Sequence, residues 1–213
     1  MYSVRPNWLM RRLYSSAVWR VPTDKKKIFL SFDDGPIPEI TPWVLNTLKQ
    51  FNAKATFFCV GENIEKHPEI FRQIISEGHS VGNHTYNHLN GWKTKTKIYL
   101  ENISKFDLTI NLKFQTSNIK PFFRPPYGRM KKSQSSIINK KYSIVLWDVL
   151  SGDFDKNTSE EKCLKNVLTK TREGSIVVFH DSIKAKRNLF YTLPKFLETF
   201  SKKGFIFSQL PAQ

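Results

Sequence analysis

From Ile28 onward, apolar runs of strand length alternate with longer segments whose apolar residues recur every three or four positions. Ile28 to Phe32 and Ala55 to Val60 read as the first and second strands. Between them, Thr41 followed by Pro42 is read as an N-cap opening the helix Trp43 to Phe51. His67-Pro68 opens a helix through Ile70, Phe71, Ile74 and Ile75 that Gly78 stops, and His79 to Val81 leads on as a strand. Thr94 to about Lys113 has helical periodicity, Phe122-Phe123 is a short buried strand, Ser133 to Asn139 a helix and Tyr142 to Trp147 a strand. Thr158-Ser159-Glu160-Glu161 is read as a capping box opening a helix to about Thr171, and Ser175 to Phe179 as a buried strand ending at His180-Asp181. A last helix covers about Leu189 to Lys202, with Pro194 starting its regular part or kinking it, before a final strand from Phe205 to Leu210. This alternation predicts a parallel α/β architecture. The polar clusters of interest fall at strand C-terminal ends, where such folds assemble their sites.

A chain of 213 residues suits one domain. Residues 1–25 are read as an N-terminal extension packing on a domain that spans 26–213. Hydrophobic residues at 39% and aromatics at 14% exclude a disordered chain. Lys plus Arg number 34 against 18 Asp plus Glu, and the net charge of +16 favours contact with an anionic polymer or a membrane surface. No zinc-finger or RNA-recognition signature accompanies that charge, so no specific nucleic-acid partner is expected. Cys59 sits in an apolar run and no structural disulfide with Cys163 is expected. The first twenty residues hold no apolar run long enough for a signal-peptide core or a membrane span. The cytoplasm is therefore the expected compartment, with the membrane periphery or cell envelope as the alternative.

The chemistry concentrates in Ser31-Phe32-Asp33-Asp34-Gly35-Pro36 and His84-Thr85-Tyr86-Asn87-His88. Two imidazoles and a carboxylate make a three-ligand site for a divalent metal with open positions, and a second carboxylate is left beside it. On extended chain the adjacent Asp33 and Asp34 point to opposite sides, so one can bind metal while the other faces a water. Arg124, the only charge between Pro121 and Tyr127, can hold a carboxylate such as Asp33 ionised. His180 emerges at the same rim, where Asp153, or alternatively Asp148, can orient it. His67 and His79 are read as capping or packing residues.

In these residues the chain resembles the polysaccharide deacetylases, the family-four carbohydrate esterases that share the nodulation-factor deacetylase domain. Five family motifs can be placed in order: Ser31 to Pro36, His84 to His88, Arg124 to Tyr127, a segment keeping Asp153, and Ile176 to His180. The fourth departs from the family's D-x-x-D-W, with Leu150 at the first acidic position and Phe154 at the Trp. The resemblance implies a distorted (β/α) barrel with Asp34, His84 and His88 as metal ligands, and Asp33 as general base tethered by Arg124. It further implies that the backbone N–H of Tyr127 helps bind the oxyanion and that His180, assisted by Asp153, is the general acid. The implied reaction removes N-acetyl groups from N-acetylhexosamine units of peptidoglycan, chitooligosaccharide or a similar glycan and releases acetate. Two His and one carboxylate suit Zn2+, with Co2+, Ni2+ or Fe2+ as alternatives. Two other readings are hydrolysis of a small amide or imide, and a catalytically silent domain that binds anionic polymer.

Overall fold

The computed structural model describes residues 3–114 and 119–211. Met1, Tyr2, residues 115–118, Ala212 and Gln213 lie outside it, and with them the outer ends of the expected extension and domain. In chain order the elements are α1 (Trp8–Leu13), β1 (Lys27–Asp33), α2 (Ile40–Gln50), β2 (Thr56–Cys59), α3 (Gly61–Lys66), α4 (Pro68–Ser76), β3 (Ser80–Asn83), α5 (Thr96–Lys113) and β4 (Ile119–Phe123). There follow α6 (Lys132–Ile138), β5 (Ser143–Ile144), β6 (Val149–Leu150), α7 (Glu160–Lys170), β7 (Ile176–His180), α8 (Lys186–Lys202) and β8 (Ile206–Ser208). The strands form one parallel sheet in the order β5-β4-β3-β2-β1-β7-β6, with β8 pairing β1 alongside the lower part of its edge. This curled parallel sheet with flanking helices is the distorted (β/α) barrel expected.

Alternation along the strands decides what faces the barrel interior. Ile28, Leu30 and Phe32 of β1, Phe57 and Cys59 of β2, and Val177 and Phe179 of β7 pack outward against Val44, Leu48, Leu193 and Phe196 of α2 and α8. Period two then turns Phe29, Ser31 and Asp33 inward, where Phe29, Phe58, Phe122 and Ile176 fill the lower barrel. The polar groups sit above that apolar floor, at the mouth formed by the strand C-termini.

The sheet is closed by the N-terminal segment. Val18 donates to the Ile144 carbonyl and accepts from the Leu146 amide, 2.8 Å each, and Leu150 donates to the Val4 carbonyl at 2.8 Å. Fully buried Asp148 takes Arg11 at 2.8 Å, Arg5 at 3.6 Å, Arg172 at 3.7 Å and the Ser175 hydroxyl at 2.8 Å. Among the described residues no helix is long and apolar enough to cross a membrane.

Several local expectations need correction. Helix α2 starts at Ile40 with Glu39 at its N-cap, so Thr41 and Pro42 lie inside the first turn. The Thr41 hydroxyl is drawn to Asp181 at 2.6 Å and accepts from the Ile37 amide, a tertiary use that displaces capping. The strand expected over residues 142–147 shrinks to β5, because the Val145 and Leu146 carbonyls turn toward Arg124. Ser159 alone caps α7, accepting from the Lys162 amide. Pro194 lies within α8, which begins at Lys186 rather than near Leu189.

Candidate active site

Asp33 and Arg124 form a buried pair at the barrel mouth. Arg124 is 1% exposed, and its Nη1 donates to Asp33 Oδ1 at 2.6 Å and to the Ser31 hydroxyl at 2.8 Å. Its Nε and Nη2 donate to the carbonyls of Val145 and Leu146 at 3.2 and 3.1 Å, and the guanidinium lies 4.0 Å from the Phe58 ring centroid. Its donors thus face acceptors on several sides in a pocket that admits almost no water. A carboxylate beside a fixed, always-charged guanidinium is held ionised and aimed.

Asp34 does not continue the strand as expected. Its φ of 87° places it in the left-handed region, and Thr85, His88 and Tyr127 share that region at 65°, 59° and 61°. Non-glycine residues there carry strain, here gathered at one site. The pentapeptide is accordingly an irregular loop, with the Thr85 amide on Asn83 Oδ1 at 2.8 Å and the Tyr86 amide on Asn102 Oδ1 at 2.9 Å. These turns bring Asp34 Oδ1 to 3.1 Å from His88 Nε2 and 3.7 Å from His84 Nε2, and one ligand atom from each residue falls within 4.8 Å of the others.

The donor set fits a divalent cation. His84 Nδ1 lies 2.8 Å from the Arg124 carbonyl, which can only accept, so Nδ1 carries the proton. Burial also lowers the His84 pKa to about 4, against the pull of Asp33, and keeps the ring neutral. The Nε2 lone pair therefore faces a carboxylate with no proton between them. Asp34 Oδ1 is itself buried without a hydrogen-bond partner. An anionic oxygen and imidazole lone pairs pointed at one spot are what a cation satisfies.

On the other side, His180 is the strand partner of Asp33 in the β1–β7 register. Fully buried Asp153 accepts from the His180 amide through Oδ2 and lies 2.8 Å from Nδ1 through Oδ1. Burial pushes the imidazole pKa down, but Asp153, with Asp34 and Asp33 behind it, outweighs that and raises the value to about 9. Asp148 belongs to the Arg11 cluster, and Asp153 is the carboxylate in contact with His180. Phe154, at the motif's Trp position, packs edge-on against the His180 ring at 4.7 Å. The Tyr127 hydroxyl lies 3.2 Å from His88 Nδ1. His79 accepts from the Ala55 amide in the core, and His67 occupies the N-cap position of α4, both remote from the ligands.

Two supports escaped the sequence reading. Helix α3 ties both ligand loops together: Asn63 donates to the Asp34 carbonyl at 2.7 Å, while the Gly61 and Glu62 amides donate to Thr85 and Tyr86 at 3.1 and 2.7 Å. Asp181, fully buried, accepts from the Gly35 amide at 3.1 Å and from Thr41, and its own amide donates to Asp33 at 3.1 Å. Burial raises its pKa to about 8. The available signal was an acid directly following an apolar strand and its terminal His.

Comparison with known proteins gives one family model, described as polysaccharide deacetylase, over residues 20–142. A peptidoglycan-N-acetylglucosamine deacetylase of Bacillus cereus is 34% identical over 92% of this chain and 76% of its own. A chitooligosaccharide deacetylase of Azorhizobium caulinodans is 31% identical over 76% of this chain and 77% of its own. Among solved structures, a peptidoglycan N-acetylglucosamine deacetylase in complex with a naphthalenyl N-oxidanyl-benzamide superposes with a TM-score of 0.85 at 34% identity, covering 97% of this chain and 95% of that one. A pseudoenzyme of the same esterase family from Bacillus anthracis has a TM-score of 0.80 at 22% identity, covering 91% of this chain and 67% of its own. That last likeness concerns the fold alone, and activity has to be argued from the site.

Proposed function

The chain belongs to the polysaccharide deacetylase family, and on that premise we propose that it is a metal-dependent hydrolase removing N-acetyl groups from N-acetylhexosamine units of a glycan. The observation that carries this reading is the meeting of three ligand atoms within 4.8 Å, flanked by the Asp33–Arg124 pair on one side and the His180–Asp153 pair on the other. Asp34, His84 and His88 would hold the ion, and this donor set favours zinc. When bound, a divalent cation acidifies a water and draws electron density from the acetyl carbonyl.

The remaining work falls to the protein. Asp33, kept ionised by Arg124, takes the proton of the attacking water. The backbone N–H of Tyr127 would donate to the oxygen that gains charge, a contribution of about 3 kcal/mol for a typical oxyanion donor. His180, held as imidazolium by Asp153, gives its proton to the departing amine, which is a poor leaving group until protonated. A base and an acid on adjacent strands supply the two opposite proton transfers without either having to change roles. The silent-domain reading lacks support from the residues, because ligands, base and acid are all present.

The test is acetate release from N-acetylglucosamine oligomers and peptidoglycan by zinc-loaded protein, with Asp33→Asn in parallel. Release that the substitution abolishes is expected; equal release from both proteins would remove Asp33 from its role. Exposed Trp8 and Leu9 beside exposed Arg12 support an anionic membrane surface as a further contact, measurable by sedimentation with anionic vesicles.

A further inference from the structure

Thr85, Tyr86 and Asn87 separate the two imidazole ligands, and the backbone there is strained. Thr85 has a φ of 65° and His88 of 59°, in a left-handed region that a β-branched residue such as Thr85 avoids. Strain of this kind persists only where the surrounding contacts over-determine it. Here those contacts are side-chain oxygens. The Thr85 amide donates to Asn83 Oδ1 at 2.8 Å, and the Tyr86 and Asn87 amides both donate to Asn102 Oδ1, at 2.9 and 3.3 Å. All three amides between His84 and His88 thus rest on two asparagines, one at the end of β3 and the other on α5.

Each asparagine is itself held in one orientation. Buried Asn83 turns its Nδ2 to three acceptors, the Ile103 carbonyl at 3.0 Å, Asp107 Oδ1 at 3.2 Å and the Tyr142 hydroxyl at 3.4 Å. The Tyr142 hydroxyl gives its proton to Asp107 Oδ2, which Lys141 also meets at 2.7 Å, so a lone pair is left for Asn83. A flipped Asn83 amide would lose these bonds and set its own N–H groups against the Thr85 amide. Half-buried Asn102 donates through Nδ2 to Asn87 Oδ1 at 2.9 Å, which leaves its oxygen for the two amides. Asn83 also reaches the first ligand by a second route. Its carbonyl accepts from the Arg124 amide at 3.1 Å, and the Arg124 carbonyl is the group that orients His84 Nδ1.

Resting on the deacetylase reading and its ligand set, we infer that Asn83 and Asn102 are positioning residues that fix the His84–His88 loop in the shape that receives the cation. Neither belongs to the ligand set. Metal affinity is then set by β3 and α5 as well as by the three ligands, because groups that orient ligands typically contribute about 10- to 100-fold in affinity. A loop ordered beforehand also loses less freedom when the ion binds.

The experiment titrates the zinc-loaded full chain with a competing chelator, and records the visible spectrum of the cobalt-loaded protein and the Tm alongside. Asn102→Ala removes the shared acceptor from a half-buried position that the fold tolerates, and zinc affinity should weaken roughly tenfold. Its cobalt spectrum should differ from that of the wild type. Asn102→Asp keeps an oxygen for both amides and should bind zinc at least as tightly as the wild type. Asn83→Leu should weaken zinc further, and the Asn102 pair decides the outcome even where Asn83→Leu does not fold. Acetate release by Asn102→Ala should fall at limiting zinc and recover with excess zinc, at an unchanged KM for the glycan. A lowered Tm with unchanged zinc affinity in Asn102→Ala, or an Asn102→Asp as weak as Asn102→Ala, would overturn the inference. Weakened zinc binding in the variants beside a wild type that releases no acetate would uphold the positioning role and count against the deacetylase reading instead.

Discussion

Replacing Asp153 by Asn tests the proton-donor role proposed for His180. The substitution keeps the shape of the side chain and an acceptor for one of its two bonds, but removes the charge 2.8 Å from Nδ1. In the wild type that charge, joined by the weaker pull of Asp34 and Asp33, overcomes burial and carries the imidazole from 6.5 to about 9, a net shift worth about 3 kcal/mol in favour of the imidazolium. Without it, burial is opposed only by the weaker pull of Asp34 and Asp33, and the pKa falls. A full return to 6.5 would drop the protonated fraction at pH 8 from nearly complete to a few per cent, so kcat/KM should fall by up to roughly thirtyfold. The assay is acetate release against pH. The wild type should hold its activity until pH approaches 9, and the alkaline limb of Asp153→Asn should move down toward 6.5. Stability shifts in the same direction: a raised folded pKa stabilises fully below 6.5 and is lost as pH rises through about 9. The variant should therefore melt lower at neutral pH, with the gap closing above 9. An alkaline limb in the same place for both proteins would refute the assignment.

Arg124→Met should be the more damaging to the fold. It strands the buried Asp33 carboxylate and the carbonyls of Val145 and Leu146, and removing one partner of a buried pair costs about 3–5 kcal/mol. Denaturant unfolding at neutral pH measures this, and a loss below 1 kcal/mol would show that Asp33 is hydrated instead. Gly35→Ala would drive a Cβ into Asp181 Oδ2, so a loss of about 1–3 kcal/mol is expected, read as a lower Tm. An unchanged Tm would mean that the turn is loose.

The sheet was legible because β1, β2 and β7 are buried on both faces and their lengths and spacing admit few alternatives. Asp33, Asp34, His84, His88, Arg124 and His180 were legible because strand ends place them on one rim. Other features depend on contacts that no local pattern carries. Helices α1 and α3 have six residues each, too short for a periodicity to register, yet Asn63 and Gly61 of α3 fix the two ligand loops. Thr41 reads locally as a cap, but its hydroxyl belongs to Asp181, far along the chain. The left-handed turns at Asp34, Thr85 and His88 are likewise products of the assembled site, and extended or helical spacing could not anticipate them.

The most direct measurement is an anomalous difference map, collected at the zinc edge from crystals of the zinc-loaded protein. One strong peak is expected within bonding distance of Asp34 Oδ1, His84 Nε2 and His88 Nε2. A peak elsewhere, or no peak at full zinc occupancy in solution, would contradict the ligand assignment from which the catalytic reading follows.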